Sequence, residues 1–299
     1  MTNAVCFGEV LWDLLPSGKV AGGAPMNVAF HLQQLGIATR MISRIGKDAL
    51  GEALLDFLQQ KNVATDFIQQ DDHYATGVVN VTFSDRNEPI YTIEQPVAWD
   101  FIRNSPPIVE LVKNAAVFVH GSLIARSTTS CQTLLALIEA APVRVFDVNL
   151  RTPFYSKELI KTLLPNTNLL KMNEDEAELL CEWFAGGTNW KDRLPKLQEQ
   201  YNIDAVLVTL GKAGAQLTQA GETFTQSGFP IKVQDTIGSG DAFLAGFLSQ
   251  WLQQRAPQTC LQFACAMGAL IATHRGALPT VTINDVEKMI AGESNILQQ

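Results

Sequence analysis

Short apolar runs alternate along the chain with longer segments in which apolar residues recur every three or four positions. This periodicity predicts helices over 25–35, 49–61, 129–140, 174–184 and 194–201, and the runs predict strands over 4–10, 40–45, 117–120, 143–148, 168–172 and 205–210. Strands and helices that alternate in this way are typical of a parallel sheet covered by helices on both faces. The pattern therefore predicts an α/β fold.

The pattern changes between residues 76 and 95. Two segments rich in β-branched and aromatic residues, 78–83 and 90–93, flank the turn-like segment 85–89. This arrangement predicts an antiparallel hairpin inserted into the parallel scheme. We expect the hairpin to form a small lid. The chain has no internal repeat and no long linker, so residues 1–299 are expected to form a single domain.

Composition and charge exclude several classes of partner. The 299 residues are 46% hydrophobic, which suffices for a sizeable core, and the formal net charge of −8 argues against nucleic acid or an anionic membrane as a partner. The longest apolar run, 263–272, is too short to span a bilayer. Five cysteines without a C-x-x-C pair indicate reduced thiols, so we expect a cytoplasmic protein.

The stretch 235–241, Asp-Thr-Ile-Gly-Ser-Gly-Asp, precedes an apolar run that predicts a buried helix. Gly238 and Gly240 free the backbone to turn, and the unpaired amides of a helix N-terminus suit an anion. The carboxylate of Asp241 could then accept a proton from a hydroxyl while these amides stabilise the developing charge. The alternative is an Asp that only stabilises the start of the helix.

Two better-known phosphate motifs do not fit the sequence. A P-loop requires Gly-Lys followed by Ser or Thr, and none of the three Gly-Lys pairs continues in this way. A dinucleotide fingerprint requires a third glycine where Phe243 stands and an acidic residue about 20 positions later. No Asp or Glu occurs between Asp241 and Asp285.

Polar residues follow several predicted strands, where ligands bind in open α/β sheets. Asp13 follows the first strand, and the polar residues after other strands are Asp147, Asn149, Arg151, Asn173, Glu176 and Thr209. Each has a structural alternative, such as a turn cap at Asp13 or a helix capping box formed by Asn173 and Glu176. What favours function is that all of them, with Asp241, lie at one predicted edge of one sheet.

Three motifs in this order resemble those of the PfkB (ribokinase-like) carbohydrate kinases: 22–27 (Gly-Gly-Ala-Pro-Met-Asn), 173–176 (Asn-Glu-Asp-Glu) and 235–241. Within that family, residues 7–16 and 147–151 look most like the corresponding stretches of fructokinases, although 2-keto-3-deoxygluconate kinases have similar sequences at these positions. The resemblance implies a ribokinase-like three-layer sandwich with a small β lid, whose strands would lie roughly at 12–20 and 76–97.

The resemblance also implies a role for each matching residue. Asp241 would be the catalytic base, with the amides of Gly238, Ser239 and Gly240 as the anion hole. The sugar would be held by Asp13, Gly22, Gly23, Asn27 and Arg151, and ATP by Asn173, Thr209, Gly211, Gly214, Gly240 and Cys265. Glu176 would meet Mg²⁺ through water. The backbone at Asp235, Ile237 and Gly276 would hold a monovalent cation, for which K⁺ is the candidate.

Two positions of the 235–241 motif depart from the usual family loop, with Ile237 and Ser239 where Thr and Ala are common. Both positions act mainly through their backbone in that loop, so we expect phosphoryl transfer to be retained. Ile237 bears on the monovalent cation site, which is formed by the same stretch of backbone. Cys265 replaces a polar residue of some relatives, which affects nucleotide preference.

The sequence therefore predicts a phosphotransferase that moves the γ-phosphoryl group of Mg-ATP to an alcohol group of a small sugar, with fructose as the expected substrate. A kinase for 2-keto-3-deoxygluconate, ribose or a nucleoside is the alternative, followed by a non-catalytic sugar- or nucleotide-binding protein. The apolar strands of the expected lid could also pair with a second copy, which predicts a homodimer through the lid.

Overall fold

The computed structural model describes residues 3–15, 18–83, 89–187 and 189–293. Its strands are β1 Asn3–Phe7, β2 Leu11–Leu15, β3 Gly18–Gly22, β4 Ala38–Gly46, β5 Ile68–Asp71, β6 Gly77–Phe83, β7 Pro89–Ile93, β8 Val117–Gly121, β9 Arg144–Asp147, β10 Leu169–Asn173, β11 Ala205–Thr209, β12 Ala215–Gln219 and β13 Glu222–Gln226. Its helices are α1 Ala24–Gln34, α2 Ala49–Gln60, α3 Pro106–Lys113, α4 Thr128–Ala140, α5 Lys157–Leu163, α6 Glu174–Leu180, α7 Trp190–Tyr201, α8 Ser239–Trp251, α9 Pro257–Ala272 and α10 Ile283–Ala291.

Nine strands form the main sheet in the order β13-β12-β11-β10-β9-β8-β1-β4-β5. The neighbours from β11 to β5 are parallel, and β12 and β13 are added antiparallel at one edge. The strand order reverses between β1 and β8, because the chain adds β4 and β5 on one side of β1 and β8 to β11 on the other. Ligands of such sheets bind beyond the carboxyl ends of the strands at this reversal.

A small sheet of four strands, in the order β3-β2-β6-β7, lies apart from the main sheet. β6 and β7 form the predicted antiparallel hairpin, and β2 pairs with β6 in parallel. The first pair of expected lid strands is found as β2 and β3, which pair antiparallel. Residues 84–88, most of the predicted turn, lie outside the described residues.

Two hydrophobic cores cover the two faces of the main sheet. Strand β1 contributes alternate side chains to each of them. Its side chains alternate, so that Val5 and Phe7 join a core with α3 to α7, whereas Ala4 and Cys6 join a core with α1, α2, α8 and α9. A further core joins α8, α9 and α10. The predicted three-layer sandwich, a mostly parallel sheet with helices on both faces, is therefore confirmed.

Several predicted boundaries are corrected. The first strand ends at Phe7 rather than at residue 10, since Gly8 takes a φ of 151° there. The helix predicted over 174–184 ends at Leu180 and continues as one π-helical turn, Cys181–Ala185. β5, β12, β13, α3, α5 and α10 were not predicted. Within the described ranges, no helix combines the length and the apolar character needed to cross a membrane.

A buried ion pair ties the hairpin to the main sheet. Arg126 Nε lies 2.7 Å from Asp100 Oδ1, and its Nη2 donates to Asp100 Oδ2 (2.8 Å) and to the Glu94 carbonyl (2.6 Å), directly after β7. The guanidinium also lies over the rings of Trp99 and Phe154, 3.8 and 4.7 Å from their centres. Phe154 lies in the segment that follows β9, and Glu94 directly follows β7 of the small sheet. The Arg126 side chain therefore connects these two segments.

Candidate active site

The first turn of α8 brings together the loop 235–241 and the main sheet. Gly238, the residue before α8, has a φ of 76°, and a Cβ there would lie 2.5 Å from the Cβ of Ala277, so only glycine fits. Gly240 is already part of α8, within the helix. The expectation that both glycines serve the turn is therefore corrected: the turn depends on Gly238.

Asp241 is the third residue of α8, and its side chain is almost completely buried. Its Oδ2 accepts a hydrogen bond of 2.8 Å from Asn27 Nδ2 in α1. Burial raises the pKa of Asp241 to about 6, and the nearby Asp147 adds to this rise, although Lys171, Asn27 and Arg151 act against it. A carboxyl with this pKa can accept a proton near neutral pH.

Asp13 lies in β2 of the small sheet, which corrects its predicted position directly after the first strand. Burial raises the pKa of Asp13 to about 6, with Arg151 acting in the opposite direction. The motif glycines lie close by: a Cβ on Gly22 would stand 2.5 Å from Asp13 Oδ2, and one on Gly23 would stand 2.4 Å from the Glu9 carbonyl oxygen. Gly23, with a φ of 117°, therefore excludes larger residues, and a side chain at Gly22 would displace the Asp13 carboxylate.

Arg151 is exposed beyond the end of β9, and its Nη1 donates to the Leu150 carbonyl. Its positive charge lowers the pKa of Glu9, Asp13 and Asp241 against the effect of their burial. These three carboxyls come from β2, from α8 and from the loop after β1. The guanidinium therefore faces the same cluster of acids as the Gly22-Gly23 motif.

Asn173 and Glu176 form the capping box that was the structural alternative to their nucleotide role. Asn173 Oδ1 accepts from the Glu176 amide (2.8 Å), and Glu176 Oε2 accepts from the Asn173 amide (2.9 Å). Glu176 Oε1 also accepts from the Leu150 amide, at 2.9 Å. The buried Glu176 carboxylate thus fixes both the start of α6 and the segment that leads to Arg151.

The residues expected at the nucleotide lie at the ends of β10 and β11 and beside α9. Thr209 pairs in register with Asn173. Gly211 has a φ of 55°, a conformation that favours glycine, and a Cβ on Gly214 would stand 1.9 Å from the Gln226 carbonyl oxygen, so the turn before β12 requires glycine at Gly214. Cys265 is buried in α9, which packs against β12 and β13.

The loop before α8 is held by Asp235. Its Oδ1 accepts from the Ile237 amide and its Oδ2 from the Gly276 amide, both at 3.0 Å. Ile237 is 41% exposed, as expected for a position that acts through its backbone. The segments expected to hold a monovalent cation are therefore adjacent, and the cation itself stays a prediction. In the described residues, no group of three His, Cys, Asp or Glu side chains is arranged to hold a metal ion.

Two charged residues of the site were not assigned a role from the sequence. Lys171 Nζ lies 2.9 Å from both carboxylate oxygens of Asp147, and both side chains are buried. Glu9 is also buried, with Oε1 accepting from the Ala24 amide (3.2 Å) and Oε2 without a partner among the described residues. Burial raises the pKa of Glu9 to about 7. For Lys171 the sequence offers one signal, which is a single lysine within the apolar run that predicts β10.

Comparisons with known proteins identify the family and the fold. The model of the pfkB family carbohydrate kinases matches residues 3–283. A protein named probable fructokinase-6, chloroplastic, of Arabidopsis thaliana is 30% identical over 93% of this chain and 79% of its own length. The crystal structure of a fructokinase from Xylella fastidiosa with bound ATP superimposes with a TM-score of 0.86 at 24% identity, covering 98% of this chain and 99% of that one.

A second solved structure, an uncharacterized sugar kinase from Pyrococcus horikoshii in complex with ATP, has a TM-score of 0.78 at 25% identity and covers 96% of this chain and 99% of that one. The predicted ribokinase-like fold and the predicted enzyme class, a phosphotransferase with an alcohol group as acceptor, are confirmed by these matches. With a family model that spans nearly all of the main sheet and every motif of the site, the chain belongs to the pfkB family of carbohydrate kinases.

Proposed function

We propose that the protein transfers the γ-phosphoryl group of Mg-ATP to the primary hydroxyl of fructose and yields fructose 6-phosphate. The observation that carries the proposal is the buried Asp241 in the first turn of α8, hydrogen-bonded to Asn27 of the Gly22-Gly23 motif. The choice of fructose is supported by the relatives that are named fructokinases. A binding-only protein would have no chemical need for a carboxylate buried at this place.

In the proposed mechanism the sugar is held by Asp13, Asn27, Arg151 and the backbone at Gly22 and Gly23. The hydroxyl oxygen attacks the γ-phosphorus, and its proton passes to Asp241. A new oxygen–phosphorus bond forms as the bond between the γ-phosphorus and the β–γ bridging oxygen breaks, so that ADP leaves with the electron pair. The amides of Gly238, Ser239 and Gly240 stabilise the charge on the transferred group.

The nucleotide is proposed to lie along Asn173, Thr209, Gly211 and Gly214, with Cys265 of α9 at the adenine. Mg²⁺ neutralises phosphate charge when it is bound. Both oxygens of Glu176 already accept amide hydrogen bonds, which fits contact with Mg²⁺ through water rather than direct coordination. A monovalent cation such as K⁺ is proposed at the backbone of Asp235, Ile237 and Gly276, near the bonds that Asp235 makes.

We also propose that the whole chain is one kinase domain and that the small sheet is its lid, which excludes water from the transferred phosphoryl group. β3 and β7 are the edges of this sheet, and Val20 of β3 is 37% exposed. An exposed edge can pair with a second copy, which supports a homodimer through the lid. All five cysteines are free thiols, which supports a cytoplasmic location.

The proposed substrate predicts the outcome of a substrate panel. With Mg-ATP and a coupled assay of ADP release, we expect the largest kcat/KM for fructose among fructose, ribose, 2-keto-3-deoxygluconate and adenosine. Release of ADP without sugar should be far slower. A larger kcat/KM for another member of the panel would replace fructose and leave the kinase assignment, whereas no sugar-dependent release would overturn both.

The role of Asp241 predicts a selective loss of turnover. Asp241→Asn keeps the size of the side chain but removes the proton acceptor, so kcat should fall by at least about 10²-fold while fructose still binds. Asp285→Asn is the matched control, because Asp285 also lies in the first turn of a helix, α10, as part of a capping box. Wild-type turnover in Asp241→Asn would show that Asp241 only stabilises α8.

The raised pKa of Asp241 predicts the pH dependence of kcat. The base acts only when it is ionised, so kcat should fall as the pH drops below about 6, rather than below the ordinary value of 3.8. Asp13 has a similarly raised pKa, so the profile is also measured for Asp13→Asn. If the acid limb disappears in that variant, it reports Asp13 and the assignment to Asp241 is wrong.

Fructose affinity and ATP-analogue affinity should be reduced by different substitutions. Asp13→Ala removes a charged acceptor of hydroxyl hydrogen bonds, which contribute roughly 1.5–3 kcal/mol, so fructose affinity should fall by about one to two powers of ten while ATP-analogue affinity stays constant. Gly240→Val should weaken the ATP analogue instead, because its side chain blocks the close approach of a phosphate. Calorimetric titration of both variants measures this. Equal weakening of both ligands by Asp13→Ala would demote Asp13 to a structural residue.

A further inference from the structure

Lys171 is a cation buried inside the main sheet. It lies in β10, between β9 and β11, and only 6% of its surface is exposed. An ammonium in such a place is costly unless it is paired. Lys171 stands in register with Asp147 on the neighbouring strand, and its Nζ donates to both oxygens of that carboxylate at 2.9 Å.

The ammonium also interacts with acids beyond its partner. Burial lowers the pKa of Lys171, but Asp147, Asp241 and Glu176 together raise it above its usual value, so the group stays charged. Asp241 is the proposed base, and Glu176 caps α6 at the proposed nucleotide site. One buried cation is therefore shared by three carboxylates that come from three different elements.

The ammonium of Lys171 also lies beside the N-terminus of α8. A Cβ built on Gly240, the second residue of α8, would lie 3.2 Å from Lys171 Nζ, so the ammonium stands beside the first turn of this helix. The N-terminus of a helix carries a partial positive charge and is stabilised by anions, not by cations. The ammonium and the helix N-terminus are therefore both suited to further negative charge at that turn.

The ammonium also has unused hydrogen-bonding capacity. A lysine has three N–H donors, and two of them are directed to Asp147. The third has no acceptor among the described residues of the protein. Together with the position beside α8, this leaves a positive charge and a donor next to Gly240 in the first turn of the helix.

From this geometry we infer that Lys171, held by Asp147, is a positioning residue for phosphoryl transfer: its charge allows the Asp241 carboxylate and the transferred phosphoryl group, both negative, to meet at the first turn of α8. The inference rests on the proposed function and adds to it a pair of residues outside the motifs 22–27, 173–176 and 235–241. The competing interpretation is a structural ion pair in which Lys171 only neutralises Asp147.

The two interpretations differ for the double variant Lys171→Met/Asp147→Asn. It removes the charges of both partners together, so that neither Lys171 nor Asp147 remains as the unpaired half of the ion pair, a change that is often neutral for stability. A structural pair predicts wild-type kinetics. A positioning role predicts that kcat falls by about 10²-fold, the loss typical of one missing stabiliser of developing charge, while the KM for fructose stays unchanged. Lys171→Arg keeps the charge and should recover part of kcat.

A matched control and a binding measurement complete the experiment. Arg44→Met/Asp71→Asn removes another ion pair of the main sheet, between β4 and the edge strand β5, and should leave kcat unchanged. Calorimetry with ADP and with a non-hydrolysable ATP analogue needs no turnover. In the Lys171 double variant we expect the analogue to lose about tenfold more affinity than ADP, because only the analogue places a γ-phosphoryl group at α8.

Unchanged kcat together with an unchanged ratio of analogue to ADP affinity would overturn the inference. The failure of the proposed function would look different: the wild-type protein would phosphorylate no sugar of the panel, yet the affinity ratio would still change in the Lys171 variants. Loss of kcat in the control pair to the same extent would also overturn the inference, because a general loss of sheet stability would then explain both results.

Discussion

The hydrogen bond between Asn27 and Asp241 is the contact on which the site depends. It joins α1 to α8, two helices that pack against each other on one face of the main sheet. The start of α1 is set by Gly22 and Gly23, which allow the chain to pass close to Asp13 and Glu9, and the start of α8 is set by Gly238. The amide of Asn27 connects these two turns, so the Gly22-Gly23 motif and Asp241 are held in one arrangement.

The burial of three acidic side chains at the site opposes folding, because a carboxylate loses its hydration when it is buried. Glu9, Asp13 and Asp241 have pKa values raised to about 7, 6 and 6, mainly because burial disfavours their charged forms. Each would be ionised more easily at the surface. A stability gain from replacing Asp13 or Asp241 would therefore coincide with a loss of groups that the proposed mechanism needs, a compromise common to functional sites.

The sequence alone predicts the sheet with helices on both of its faces and names most of the candidate site residues. It does not predict the features for which the local pattern of apolar and polar residues carries no information. Mostly apolar runs indicate the buried parallel strands, whereas β12 (Ala-Gln-Leu-Thr-Gln) and β13 (Glu-Thr-Phe-Thr-Gln) contain too many polar residues to be recognised as strands. Asp13 was predicted at a strand end because the small sheet begins within four residues of β1. Lys171 is visible only as one charge in an apolar strand, and its partner is set by the register of β9 and β10.

Asn27 and Asp241 are 214 residues apart in the chain. During synthesis the Gly22-Gly23 motif leaves the ribosome early, and Asp241 follows only after all the strands of the main sheet have been made. A chain that ends before α8 lacks the Asp241 carboxylate, so the contact between α1 and α8 can form only after synthesis has passed the whole of the main sheet. The order of the elements alone therefore makes this contact one of the last that the growing chain can complete.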